Sequence, residues 1–120
     1  MKKQQKLSES LKIALFGLQS AFREERNFRI QVLIAAFVFM LMLVTGLSRV
    51  EMSIIILTMM LVLSFELINS QIEKFLDVLH PDHHPRVKVI KDFSAGAVLL
   101  SALGSVLIGL LIFLPHVLRP

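Results

Sequence analysis

The chain has no cysteine, no tryptophan and no tyrosine, and only 18% of its 120 residues are charged. The missing cysteine excludes disulfides, thiolate metal sites and cysteine nucleophiles. Without Trp and Tyr there is no conventional aromatic belt of the kind that marks membrane interfaces. Neither G-x-x-x-x-G-K-[ST] nor G-x-G-x-x-G occurs, so any nucleotide must be held without a glycine-rich phosphate loop. What remains is apolar: 55% of the residues are hydrophobic, and mean hydropathy is +0.73. Soluble domains have roughly 45–50% apolar and about 25% charged residues, and a chain this short buries the smallest share of its surface. The composition therefore excludes a soluble globule and a disordered chain, and it predicts a single all-α membrane domain over residues 1–120.

Charge-free runs locate the spans. Residues 30–48 carry no Lys, Arg, Asp or Glu. Nor do residues 52–65, nor residues 67–72 beyond Glu66, nor residues 93–118. A helix needs about 20 mainly apolar residues to cross a bilayer. Three spans follow, near 28–48, 51–73 and 93–114, the second with Glu66 inside it. Seven Lys and Arg precede the first span, one lies between the first and second, four lie between the second and third, and one follows the third. Eleven basic residues thus share one side against two on the other. The positive-inside rule puts the N-terminus and the 74–92 segment in the cytoplasm. A signal peptide is not expected, because the first apolar run lies behind a polar segment with no suitable cleavage site.

Leu7, Leu11, Ala14, Leu15, Leu18, Ala21 and Phe22 recur at three- and four-residue steps, with Glu9, Lys12, Gln19 and Arg23 mostly off that stripe. The pattern predicts an amphipathic helix over 7–23 lying on the inner leaflet. Gly46 marks a short outer turn. Pro81 and Pro85 frame a true inner loop, His80-Pro81-Asp82-His83-His84-Pro85. The spacing of its three histidines fits no standard zinc pattern, leaving a polar turn or a phosphate-contacting loop as the two readings. In the third span Ala97, Ser101, Ser105 and Gly109 fall four apart and predict a close-packing face. The basic residues flank membrane spans rather than an aromatic groove, so nucleic acid is not an expected partner.

The strongest chemical signal lies in the second span. Glu66, Asn69, Glu73 and Asp77 sit at offsets 0, +3, +7 and +11, within about 80° of one another on a helix. A carboxylate inside the membrane costs roughly 2.5–3.5 kcal/mol on insertion scales. Such a stripe is either a helix-packing face or the lining of a wet site. Held out of bulk water, a carboxylate suits proton abstraction. Paired carboxylates facing phosphates suit magnesium, which takes one or two carboxylates plus phosphate oxygens. Arg86, Lys88 and Lys91 supply positive charge nearby, and Glu24-Glu25 lies at the same depth before the first span.

Three segments resemble one family. Glu66-Leu67-Ile68-Asn69-Ser70-Gln71-Ile72-Glu73 with Asp77 is similar to the E-x-x-N-x-x-I-E-x-x-x-D signature of prokaryotic diacylglycerol kinases. Lys91-Asp92 before Ala95-Gly96-Ala97-Val98, and Glu25-Arg26-Asn27-Phe28, resemble two further elements of that family. The likeness runs from about Lys6 to Pro115. It implies a small lipid kinase of the bacterial inner membrane with ATP as co-substrate, a surface helix plus three spans, a homotrimer, and sites between subunits. By position, it implies Glu66 as general base and Asn69 as an orienting group. Glu25 and Glu73 would hold Mg2+, and Lys91, Asp92, His84, His83 and Lys6 would contact nucleotide. The family often has Arg at the place of Lys6, which weakens a bidentate phosphate contact there. The E-R-N-F element, His83-His84-Pro85 and the segment Gly109 to Pro115 look more like the undecaprenol-phosphorylating branch than the diacylglycerol-phosphorylating one. A rival of another class is a proton-coupled transporter using Glu66, and a purely structural bundle would need none of these side chains.

Overall fold

The computed structural model describes residues 2–119, with side chains described from Lys6 onward. Four helices follow one another: α1 (Lys2–Glu24), α2 (Arg26–Val44), α3 (Arg49–Leu79) and α4 (Pro85–Leu118). Helices α2, α3 and α4 are each long and apolar enough to cross a membrane. A helix covering the expected 7–23 is present as α1. It meets the rest of the chain mainly through α2; Ala21 is buried, while Leu7, Leu11, Leu15 and Phe16 stay exposed. An apolar face left open on a helix with a charged opposite face is what an interfacial helix requires.

Helix α1 starts at Lys2 rather than at 7, and α2 ends at Val44, four residues before the predicted end of the first span. Three further boundaries differ from the sequence reading, each for a local reason. Helix α3 runs to Leu79 and α4 starts at Pro85, so at about 1.5 Å per residue α3 spans roughly 46 Å, well beyond the about 30 Å of hydrocarbon. The predicted segment 74–92 is therefore mostly helical, and Arg86, Lys88 and Lys91 stand on the first turns of α4 rather than on a loop. Pro85 permits this because the first helical position needs no amide hydrogen, and His84 caps the helix by accepting from the Arg86 N–H through Nδ1 at 3.1 Å. At the other end α4 continues through Pro115 to Leu118. The ring removes one backbone bond in the last turn, where few remain to lose, and Arg119 N still donates to Pro115 O at 3.2 Å.

The turn between α2 and α3 is closed by complementary devices. Thr45 N donates to Leu41 O at 3.0 Å, and Gly46 adopts φ 69°, the left-handed conformation that ends many helices. Ser48 then caps α3 in a reciprocal capping box with Glu51. Nothing lies within 4 Å of a Cβ added at Gly46, so Gly46→Ala meets only backbone strain. The expected loss is about 1–2 kcal/mol, read as a lower unfolding midpoint in a denaturing-detergent titration.

At this end Met42, Leu47, Ile55 and Ile112 form the buried core, joined by Met59, Ile108 and Phe113. His116 Nε2 lies 3.2 Å from Glu51 Oε2, tying the far ends of α4 and α3 together. Helix α4 packs mainly along α3, through Ile108, Ile112 and Phe113. A Cβ added at Gly104 or Gly109 meets nothing within 4 Å, so the predicted close-packing face is not closed against α3. Ser101, Gly104, Ser105 and Gly109 are half-buried, whereas Ala97 is exposed. The two hydroxyls bond back to carbonyls of their own helix, Ser101 to Val98 O and Ser105 to Ala102 O, so they leave no polar group unpaired against α3.

Candidate functional site

The polar stripe of α3 is divided by burial. Glu66, Asn69 and Ser70 are buried, at 4%, 9% and 4% exposure, and they are the only polar residues buried among those described. Glu73 and Asp77, one and two turns further on, are exposed. The stripe therefore passes from the protein interior to the basic end of the bundle, as the 100° spacing predicts.

Each acid meets a different partner. The carboxylate of Glu66 accepts a hydrogen bond from Gln31 Nε2 of α2 at 3.3 Å. Asn69 Nδ2 reaches Glu73 Oε1 at 3.5 Å, the long limit for such a bond. Glu25, in the break between α1 and α2, takes an ion pair from Lys74 Nζ at 2.6 Å, and Glu24 is 3.5 Å from the same ammonium. Asp77 pairs with Lys91 of α4. Asp92 pairs with Lys88 one turn earlier on the same helix, at 2.8 Å. Asn69, one turn beyond Glu66, bonds Glu73, and Lys74, the next residue after Glu73, carries Glu25 on its ammonium, so the three carboxylates lie along one stretch of α3.

The residues predicted from sequence thus fall into two groups. Glu66, Asn69, Glu73 and Glu25 converge. Lys91 joins their edge through Asp77, which stands one turn beyond Glu73. His83, His84, Asp92 and Lys6 remain exposed: the first two lie in the α3–α4 connection, Asp92 beside Lys88 on α4 and Lys6 on α1, and none of them touches Glu25, Glu66 or Glu73. Among the described residues no three His, Asp or Glu side chains form a ready-made metal cage. His84 serves α4 as its cap, and its ring stands 5.8 Å from that of His80.

Two members were missed by sequence reasoning. Gln31 lies inside a charge-free run, and its one available signal is a polar amide near the start of an otherwise apolar stretch. Lys74 was counted only toward topology. Its choice of Glu25 depends on how α3 lies against the α1–α2 break, which periodicity does not reveal. Two buried oxygens beside Glu66 have no hydrogen-bond donor, Gln31 Oε1 and Asn69 Oδ1. A buried acceptor without a donor is costly. Gln31 also lines an apolar cavity of about 320 Å³ between α2, α3 and α4, with Ala35, Val62, Ser105, Gly109 and Phe113 among its walls.

Fold and site together define a small membrane protein that holds a buried carboxylate between an apolar cavity and a surface of acids and lysines. The family model of prokaryotic diacylglycerol kinases matches residues 12–113. Over 99 residues the chain is 41% identical to an undecaprenol kinase of Bacillus subtilis, covering 82% of this chain and 80% of that protein. It is 34% identical over 110 residues to a diacylglycerol kinase of Synechocystis, covering 91% of this chain and 63% of that protein. A diacylglycerol kinase of Haemophilus influenzae is 31% identical over 95 residues, 79% of this chain and 80% of its own length. The chain belongs to the prokaryotic diacylglycerol kinase family.

Proposed function

We propose that this lipid kinase transfers the γ-phosphate of ATP to the hydroxyl of a membrane lipid alcohol, undecaprenol in preference to diacylglycerol. The observation that carries the reading is the position of Glu66. It is buried, bonded to Gln31 at the edge of an apolar cavity, and lies on the α3 face that leads through Asn69 and Glu73 to the Lys74–Glu25 pair. A lipid hydroxyl arriving from the bilayer and a phosphate arriving from water meet there and at few other places on the chain. Glu66 takes the hydroxyl proton and the lipid oxygen attacks the γ-phosphorus in line. The bond from that phosphorus to the bridging oxygen breaks, and ADP leaves with the electron pair. Such transfers depend mainly on positioning and electrostatics.

Asn69 orients Glu73 from one turn away. The nucleotide lies over the basic end, with Lys91 and Asp92 of α4, His83 and His84 of the connection, and Lys6 of α1 as its contacts. With Nδ1 committed to capping, the neutral ring of His84 carries its proton on Nε2, a donor suited to phosphate. Glu25 and Glu73 would hold Mg2+. They offer hard oxygen donors, and the ion pair of Lys74 with Glu25 is consistent with a place that attracts positive charge. Bound there, Mg2+ supplies neutralisation of phosphate charge. Exposed ion pairs are worth about 0.2–1 kcal/mol. Lys74→Met is therefore expected to lower the Mg2+ concentration for half-maximal activity about two- to fivefold, measured by titrating Mg2+ at saturating ATP.

The charge count supports an N-terminus and a site in the cytoplasm, across a bacterial inner membrane. The working unit in this proposal is a homotrimer, as the family resemblance implies, and the exposure of Glu73 leaves room for a neighbouring subunit to complete the site. The 41% identity to an undecaprenol kinase supports undecaprenol. A transporter reading would use Glu66 but leave Glu25 and Glu73 without a task. The test is a competition in lipid bicelles with labelled ATP and equal undecaprenol and diacylglycerol. Preferential labelling of undecaprenol is expected, labelling of diacylglycerol alone would reverse the preference, and labelling of neither would overturn the kinase reading.

A further inference from the structure

We propose that Gln31 is a positioning residue for the transfer, holding the Glu66 carboxylate in the orientation that receives the lipid's proton. The proposal rests on the lipid-kinase reading and assigns a role to a side chain that reading does not use.

The bond runs between helices, from α2 to α3, and spans 35 residues of sequence. Its orientation is determined chemically. Turning the amide over would set Gln31 Oε1 against Glu66 Oε2, two acceptors facing each other. The amide oxygen has no donor of its own, so the bond to Glu66 is the only hydrogen bond recorded for this side chain. One carboxylate oxygen is thereby occupied and the other left for the hydroxyl.

The backbone that carries Gln31 is itself fixed. Arg29 Nη1 donates to the carbonyls of Phe22 and Arg23 at 3.0 and 3.1 Å, tying the start of α2 to the end of α1. Phe28 is 4% exposed and anchors the same turn. A rotamer held by a pinned turn is what precise placement of a reacting group requires. Gln31 also borders the apolar cavity, so the residue that aims the carboxylate stands where a lipid chain would pass.

The experiment compares wild type, Gln31→Met and Gln31→His in bicelles, reading kcat, KM for ATP and melting temperature. Methionine keeps the length and fits an apolar neighbourhood but cannot donate; histidine keeps an N–H. A hydrogen bond to a charged group corresponds to about a ten- to hundredfold effect. Gln31→Met should lose that much kcat with KM for ATP and melting temperature unchanged, and Gln31→His should retain more kcat than Gln31→Met. If Gln31→Met stays within twofold of wild type, or its loss tracks a fallen melting temperature, or Gln31→His is the worse of the two, the role of Gln31 is overturned while the kinase reading stands. If wild type itself labels no lipid, the kinase reading falls and this role with it.

Discussion

Glu66→Gln is expected to reduce kcat by about 10²- to 10⁴-fold, the range that a positioned general base contributes, while leaving KM for ATP unchanged. The amide has the same shape as the carboxylate, so packing against Asn69, Ser70 and Gln31 is preserved. It has no basic oxygen able to take the proton, and the hydroxyl remains a poor nucleophile. The same change removes a charge from a buried position, which is costly to occupy in an apolar setting. The variant should therefore unfold no earlier than wild type. Loss of activity without loss of stability separates a chemical role from a packing role, since a mere packing stripe predicts neither the activity loss nor its restriction to kcat.

The second large effect concerns the divalent cation. Chelating it should abolish transfer, and Glu73→Gln should lower activity at fixed Mg2+ by about 100-fold, with partial recovery as Mg2+ is raised. Even indirect partners of a metal ligand change affinity about 10–100-fold, so loss of a direct ligand belongs at or above the top of that range. Glu73 is exposed and its recorded bond is the long contact from Asn69, so its removal leaves little buried that needs repair. The check is a Mg2+ titration of initial rate, paired with ATP saturation at each concentration. A variant whose deficit is independent of Mg2+ would remove Glu73 from the cation site. The Lys74→Met variant moves the same titration in the opposite direction, because it frees Glu25 rather than removing a ligand.

Particular residues show where the sequence was legible. The stripe Glu66, Asn69, Glu73 and Asp77 could be read because one helix fixes their relation: 3.6 residues per turn determine that they share a face, whatever the helix packs against. The three spans could be read because lipid demands long apolar runs. Gln31 could not, because its bond to Glu66 depends on how α2 lies against α3, and neither helix encodes that angle locally. Lys74 illustrates the same limit at the α1–α2 break. The position of Arg86, Lys88 and Lys91 on a helix was available in principle, since Pro85 is as much a helix start as a loop residue. Ser101, Ser105 and Gly109 are half-buried and Ala97 is exposed, with open space beside Gly109, so a small-residue repeat does not by itself determine which members are covered.

The central claim is that a lipid hydroxyl meets ATP at Glu66, and γ-phosphate transfer tests it most directly. Wild-type protein and Glu66→Gln are each incubated in bicelles with undecaprenol, Mg2+ and ATP labelled at the γ-position, and label is counted in the extracted lipid. The account predicts undecaprenyl phosphate formed by wild type and about 10²-fold less or lower by Glu66→Gln. Unlabelled lipid from wild type, or equal label from both proteins, would contradict it.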